Sequence, residues 1–108
     1  MKKLNEMEKA EKSEGMEYCI VRTDRAGVFA GYIESKNGQE AVMRNVRKLW
    51  YWDGANAVEQ LAVDGTNNPR NCKFTVTVDK IELTDVLQII ECTKKAKESI
   101  LGVMEWRA

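Results

Sequence analysis

The run Tyr18-Cys19-Ile20-Val21-Arg22-Thr23, then Asp24-Arg25-Ala26-Gly27, then Val28-Phe29-Ala30-Gly31-Tyr32-Ile33, decides the fold of this chain. Two β-rich blocks flank four turn-forming residues, which predicts two neighbouring antiparallel strands. Asn37-Gly38 follows. This dipeptide is the strongest short hairpin signal, because both residues accept the positive φ of a type I′ turn. Glu40 to Arg44 is therefore expected to return as a third strand.

The next stretch fits two periods. Val42, Val46, Leu49 and Trp50 have helical spacing, whereas Val42, Arg44, Val46, Lys48 and Trp50 would line one strand face. The strand reading is favoured, with a bend near Asn45 and continuation through Trp52. Asp53 is expected to cap a short helix over residues 55–63, with Gly65 as its stop. Residues 66–71 read as a loop. Cys72 to Val78 alternates apolar and polar residues, as a half-buried strand does. Val86 to Ile90 is a more continuous apolar run, which suggests a central strand or a subunit interface. Thr93 is placed to cap a last helix, Lys94 to Leu101, with Ala96, Ile100 and Leu101 facing in; residues 103–106 form a short extended tail.

These elements define an α+β fold: one mainly antiparallel sheet of about five strands with two short helices. At 108 residues the chain is one domain. Residues 1–16 carry four Lys and four Glu with few large apolar groups, so they read as a charged, flexible tail before a single domain over 17–108. Open sheet edges in so small a domain invite pairing with another copy, so a homo-oligomer is expected.

Composition excludes several function classes. Lys+Arg and Asp+Glu are both 17, and that balance argues against general DNA or RNA binding, which needs a positive field. No apolar run reaches the roughly 20 residues of a membrane span, and the charged N-terminus has no signal-peptide core. A cytoplasmic location is expected. The chain has no His, which removes the usual general base and the commonest zinc ligand. Three scattered cysteines, Cys19, Cys72 and Cys92, fit buried reduced thiols. Hence no catalytic activity, no metal and no cofactor are expected.

Four groups of residues suit a small anionic ligand. Arg22, Thr23, Gly27 and Phe29 belong to a hairpin whose small residues would let a ligand approach the backbone; the structural alternative is a tight turn and close sheet packing. Arg44 and Arg47, with Lys48, could clamp a phosphate through the planar guanidinium fork; otherwise they form a solvated charged face. Trp50-Tyr51-Trp52 concentrates three of the eight aromatic residues. It is either core or a platform on which a purine stacks, an interaction worth roughly 1–3 kcal/mol per base in nucleic-acid systems. Thr66 and Asn67 offer hydroxyl, amide and backbone donors for ribose or base edges, or simply connect two elements.

Several stretches together resemble a widespread family of small phage and prophage proteins, most of them uncharacterised. They are residues 21–31 (VRTDRAGVFAG), 47–55 (RKLWYWDGA), 60–65 (QLAVDG), Cys72-Lys73-Phe74 and 92–97 (CTKKAK), so the likeness spans roughly Tyr18 to Trp106. In size, α+β make-up and Arg/aromatic content the chain is also similar to the Thoeris anti-defence sponges. That second resemblance implies a phage counter-defence protein in the infected bacterial cytoplasm, which sequesters a cyclic ADP-ribose-type or cyclic oligonucleotide signal without cleaving it. A protein-interaction module, as a virion accessory component or an inhibitor docking on a host protein, is the alternative.

Overall fold

The computed structural model describes residues 7–108. The chain forms β1 (Glu17–Thr23), β2 (Val28–Asn37), β3 (Glu40–Tyr51), α1 (Val58–Asp64), β4 (Lys73–Phe74), β5 (Val78–Leu83), β6 (Val86–Glu91) and α2 (Lys94–Gly102), with a 3-10 turn at Pro69–Asn71. The strands make one antiparallel sheet in the order β4-β3-β2-β1-β6, and β5 pairs with the same side of β3 as β4 does, further toward the start of β3. The expected α+β class, with a mainly antiparallel sheet and two short helices, is what the chain adopts.

The sheet is strongly curled, and connectivity explains why. Its outer strands β5 and β6 are consecutive in sequence, joined only by Thr84 and Asp85. Leu83 and Val86 can therefore lie no more than about 11 Å apart. Strand spacing in a flat sheet would hold β5 and β6 about 19 Å apart. Bulges in the β2–β3 ladder, between Ala30 and Tyr32 and between Ile33 and Ser35, supply the bend. Asn45 stands at the first of them with φ 47°, so the bend expected near Asn45 is a left-handed residue. Gly31 lies opposite, and a Cβ there would come within 2.8 Å of Val46 Cα. The closed end is fastened by Val86 N–H on the Gln39 carbonyl (2.9 Å) and Asp24 N–H on the Asp85 carbonyl (2.9 Å).

Strand alternation then builds two cores. In β1, Tyr18 and Ile20 face the helices, where they join Leu49, Leu61, Ala62, Phe74, Ala96 and Ile100. Cys19 and Val21 face the concave side with Phe29, Met43, Val46, Leu83 and Val86. Cys19 and Cys92 are buried, and burial pushes both thiols up to about 12.

Several local expectations change. The β2–β3 turn is Gly38-Gln39, with Asn37 paired to Glu40, and only Gly38 has positive φ (61°), which is the type II′ pattern rather than I′. α1 starts at Val58 behind Ala57, without a side-chain cap, because Asp53 is engaged elsewhere. It stops where expected, with the Gly65 N–H on the Leu61 carbonyl. The strand expected over 72–78 is interrupted: Thr75 leaves the ladder and pairs its N–H and Oγ1 with Lys48. β5, rich in charge, was not expected as a separate strand. β6 pairs with β1 alone and is an edge, not a central strand. Thr93 does cap α2, accepting from Ala96 N–H at 3.0 Å, but Leu101 is half exposed.

The charged N-terminal segment is not a free tail from Glu8 onward. Ala10 N–H bonds the Cys92 carbonyl, Lys94 N–H bonds the Glu8 carbonyl, and Lys9 pairs with Glu91 at 2.7 Å. Ala10 and Met16 pack on the helix-side core. Residues 1–6 of the expected tail lie outside the described residues.

Candidate functional site

The aromatic block divides at the end of β3. Trp52 turns inward and packs against the helix-side core. Trp50 stays at the surface, 53% exposed, and stacks on Trp106 with ring centroids 4.7 Å apart and an interplanar angle of 29°. Lys73 of β4 holds its ammonium over both indoles, 5.5 Å from the Trp50 centroid and 5.6 Å from that of Trp106. Both distances are within cation–π range.

Backbone pairing fixes this cluster. Trp106 N–H donates to the Phe74 carbonyl at 2.8 Å, and Glu105 bridges Phe74 in parallel. The C-terminal segment thus runs beside β4 as an extra strand-like edge. Its start is fixed by Arg47, a nearly fully buried residue. Arg47 Nη1 donates to the carbonyls of Ile100 and Val103 (both 2.9 Å), Nε to Thr75 (3.0 Å) and Nη2 to Phe74 (3.3 Å). The guanidinium neutralises the carbonyl end of α2, where cations are favoured.

Beside Trp106 lies a hollow of about 570 Å³, lined by Pro69, Arg70 and Cys72 on one side and Gly102, Met104 and Glu105 on the other. Its size falls within the range of small-molecule sites. Met104 is 86% exposed at its rim. Arg107 pairs with Glu105 at 2.8 Å and holds that carboxyl below the usual carboxylate range, offsetting the charge the hollow would otherwise show an anion. The arrangement offers a flat aromatic face, a flexible thioether and two cations, Arg70 and Lys73. Such a set can hold a planar ring that carries negative charge.

The residues singled out from sequence are not gathered into one place. Trp50 belongs to the cluster above. Arg47 is engaged by the four carbonyls and does not face a ligand. Arg44 is on the exposed sheet face, tied to Glu34 (2.8 Å) and Asp79 (3.3 Å). Arg22 is exposed on β1 between Val28 and Gln88. Thr23 and Gly27 close the β1–β2 turn on each other, with Gly27 N–H on Thr23 Oγ1 and Thr23 Oγ1 on the Gly27 carbonyl, each 2.8 Å. Phe29 is buried in the concave core beneath Lys48, whose Nζ lies 6.0 Å from the ring centroid.

Thr66 and Asn67 serve a lock between two loops. Thr66 Oγ1 donates to the Asp53 carbonyl at 2.5 Å, and Asn67 N–H reaches the Gly54 carbonyl at 3.3 Å. The Asp53 carboxylate accepts from Asn68 (2.9 Å), Asn71 (2.8 Å) and Gly54 N–H (2.9 Å). Donation from Asn71, Gly54 and Asn68 holds its pKa below the ordinary value. This lock fixes the loop that presents Pro69 and Arg70 to the hollow. Sequence reading missed Arg70, Lys73, Met104 and Trp106. The available signal was a pair of large apolar residues stranded in an otherwise polar C-terminal segment. No cluster of His, Cys, Asp and Glu suited to a metal ion occurs among the described residues, and no described helix is long and apolar enough to cross a membrane.

A family model described as a domain of unknown function (DUF6948) matches residues 16–100, most of the chain, and the chain belongs to that family. No curated protein and no solved structure matches it. The match covers the sheet and most of α2 and stops before Met104 and Trp106.

Proposed function

We propose that this DUF6948 protein is a non-catalytic binder of a small anionic nucleotide, held at the Trp106 hollow rather than at the β-hairpin arginines. The observation that supports the reading is Lys73 poised over two stacked, half-exposed indoles beside a hollow that also contains Arg70. The base would stack on the free face of Trp106, against the mobile thioether of Met104. Arg70 and Lys73 would meet the phosphates, with arginine taking two oxygens at once. Sequestration of such a signal in an infected bacterial cytoplasm, as a phage counter-defence measure, requires no general base and no metal.

The test is native mass spectrometry of the protein with a panel of cyclic di- and trinucleotides, ADP-ribose and cyclic ADP-ribose isomers. A retained nucleotide, released with unchanged mass on denaturation and lost in Trp106→Ala and Arg70→Glu, is the expected result. Indifference to the whole panel overturns the reading, and a released product of altered mass overturns its non-catalytic part.

A second reading has its own observation. Trp50, Tyr51, Leu101 and Met104 are all large, apolar and about half exposed or more. Exposed aromatic and Met side chains are typical of the centre of a protein interface. A stable stoichiometric complex with one host or virion protein, lost in Trp50→Ala/Met104→Ala, would favour a protein-interaction module.

A further inference from the structure

The sheet's outer strands differ in how much of their outer side is taken. β4 is flanked by the C-terminal segment, through the Phe74–Glu105 bridge and the Trp106 N–H on Phe74. β6 is bracketed, with Gln39 taking the Val86 N–H at its start and residues 8–10 running past Cys92 to Lys94 just beyond its end, and among the described residues no backbone pairing covers the outer side of 87–91 between them. β5 pairs with β3 on one side, and among the described residues no backbone pairing covers its other side. Four of its six residues are exposed.

An open strand edge is a template for another strand. Proline or unmatched charge on an edge opposes pairing. Of the three charges on β5, Asp79 is taken by Arg44 at 3.3 Å, which leaves Lys80 and Glu82 two residues apart, hence on one face, with Ile81 between them on the other. Their mutual ion pair is loose, at 3.8 Å, and both side chains are largely solvated.

Consider two copies of the strand paired antiparallel about a two-fold axis through the sheet. Opposed residues must then share a face, so the axis passes through a residue position. Centred on Lys80, the pairing sets lysine against lysine; centred on Glu82, it sets glutamate against glutamate. Centred on Ile81, it sets Lys80 of each copy against Glu82 of the other and Ile81 against itself. Like charges directly opposite destabilise a strand pair, and opposite charges stabilise it.

We propose that β5 is a self-pairing edge, through which two copies of this chain join antiparallel in the register centred on Ile81. The inference does not depend on the ligand reading. The five residues 79–83 that pair in this register make a small interface, so a concentration-dependent dimer is expected rather than a permanent one.

Charge reversal tests it by light scattering and native mass spectrometry across a concentration series up to millimolar. Lys80→Glu and Glu82→Lys should each be monomeric, with unchanged circular dichroism. An equimolar mixture of the two should form a heterodimer, because every opposed pair is then of opposite sign. The double reversal Lys80→Glu/Glu82→Lys should dimerise like the parent, and Ile81→Arg, which places two guanidinium groups at the axis, should not. A parent protein that stays monomeric throughout overturns the proposal. So does a dimer that either single reversal leaves intact, or a mixture that fails to associate.

Discussion

Arg47 on β3 places its Nη1 2.9 Å from the carbonyl oxygen of Ile100, near the C-terminal end of α2. One side chain thus joins the middle of the sheet to the last helix and to the segment that delivers Trp106. Replacing it with Ala leaves the Val103 and Thr75 carbonyls without a donor, while Phe74 keeps the Trp106 N–H and Ile100 keeps the Val103 N–H. The expected loss is about 2–6 kcal/mol, because each buried acceptor left unpaired costs roughly 1–3 kcal/mol. Arg47→Lys should recover part of that, since an ammonium has donors but not the fork that reaches Thr75 and Phe74 together. Thermal unfolding of the two variants measures the difference.

Tyr18 should respond in the opposite direction. Its ring is 2% exposed and packs edge-on to Tyr32, at 5.1 Å between centroids. Its hydroxyl is buried with no hydrogen-bond partner among the described residues. Tyr18→Phe keeps the packing and removes the stranded group, so stability should rise by about 1 kcal/mol or more. A lowered denaturant midpoint in Tyr18→Phe would show that the hydroxyl has a partner in solution.

Gly31 sits where β2 crosses the bulge in β3. Gly31→Ala would drive a methyl group against the Val46 backbone, which cannot swing aside as a side-chain tip does. A destabilisation of about 1–3 kcal/mol is expected, as for other overpacked cores. Gly38→Ala, at a hairpin tip with open space around it, should cost less and act through its positive φ alone.

Alkaline pH should destabilise the fold through Cys19 and Cys92. Both thiols are pushed up to about 12 by burial, above the roughly 8.5 of an unfolded cysteine. Between those values the unfolded chain has lost protons that the folded chain keeps. Stability is therefore intact below about pH 8.5 and falls as pH rises, by up to about 1.4 kcal/mol per pH unit for each thiol. Cys19→Ala/Cys92→Ala should flatten that limb of the profile. In the native protein at neutral pH, neither thiol should react with a disulfide reagent at an appreciable rate.

Acid acts at Asp53. Its pKa is lowered by donation from Asn71, Gly54 and Asn68, so its contribution is present above the unfolded carboxyl value, about 3.9, and is lost as pH falls below it. Relative to the intrinsic rate at each pH, protection of the backbone amides in the 66–71 loop should fall as the pH drops below that value, while that of β1 should not. Asp53→Asn should speed exchange in the same loop at neutral pH and remove the acid dependence.

The central strands were legible because their signals are local. β1 alternates between two cores, and Asn45, a residue type that tolerates positive φ, marks the bend in β3. Turn residues marked the Gly27 corner and the stop at Gly65. What misled was competition for the same residues. Asp53 has the chemistry of a helix cap, yet Asn68 and Asn71, 15 and 18 residues later, and the adjacent Gly54 N–H claim its carboxylate. Arg47 has the chemistry of a phosphate clamp, yet the carbonyls at the end of α2 lie over 50 residues away and reach it first. β5 was hidden because an edge strand needs little apolar character, and β6 looked central because its apolar residues serve both cores. The Trp50–Trp106 pair depends on how the C-terminal segment returns to β4, and no local pattern encodes that return.

The two-residue connection between β5 and β6 also constrains how the molecule assembles. β1, β2 and β3 are chain neighbours and can find their registers by short-range search. β5 must reach β3 and β6 must reach β1 across a long stretch of chain, and Thr84-Asp85 leaves too little slack for one to dock while the other wanders. Both outer strands are therefore expected to dock together and late, in a step slowed by its high contact order, with the concave core open along one side until then.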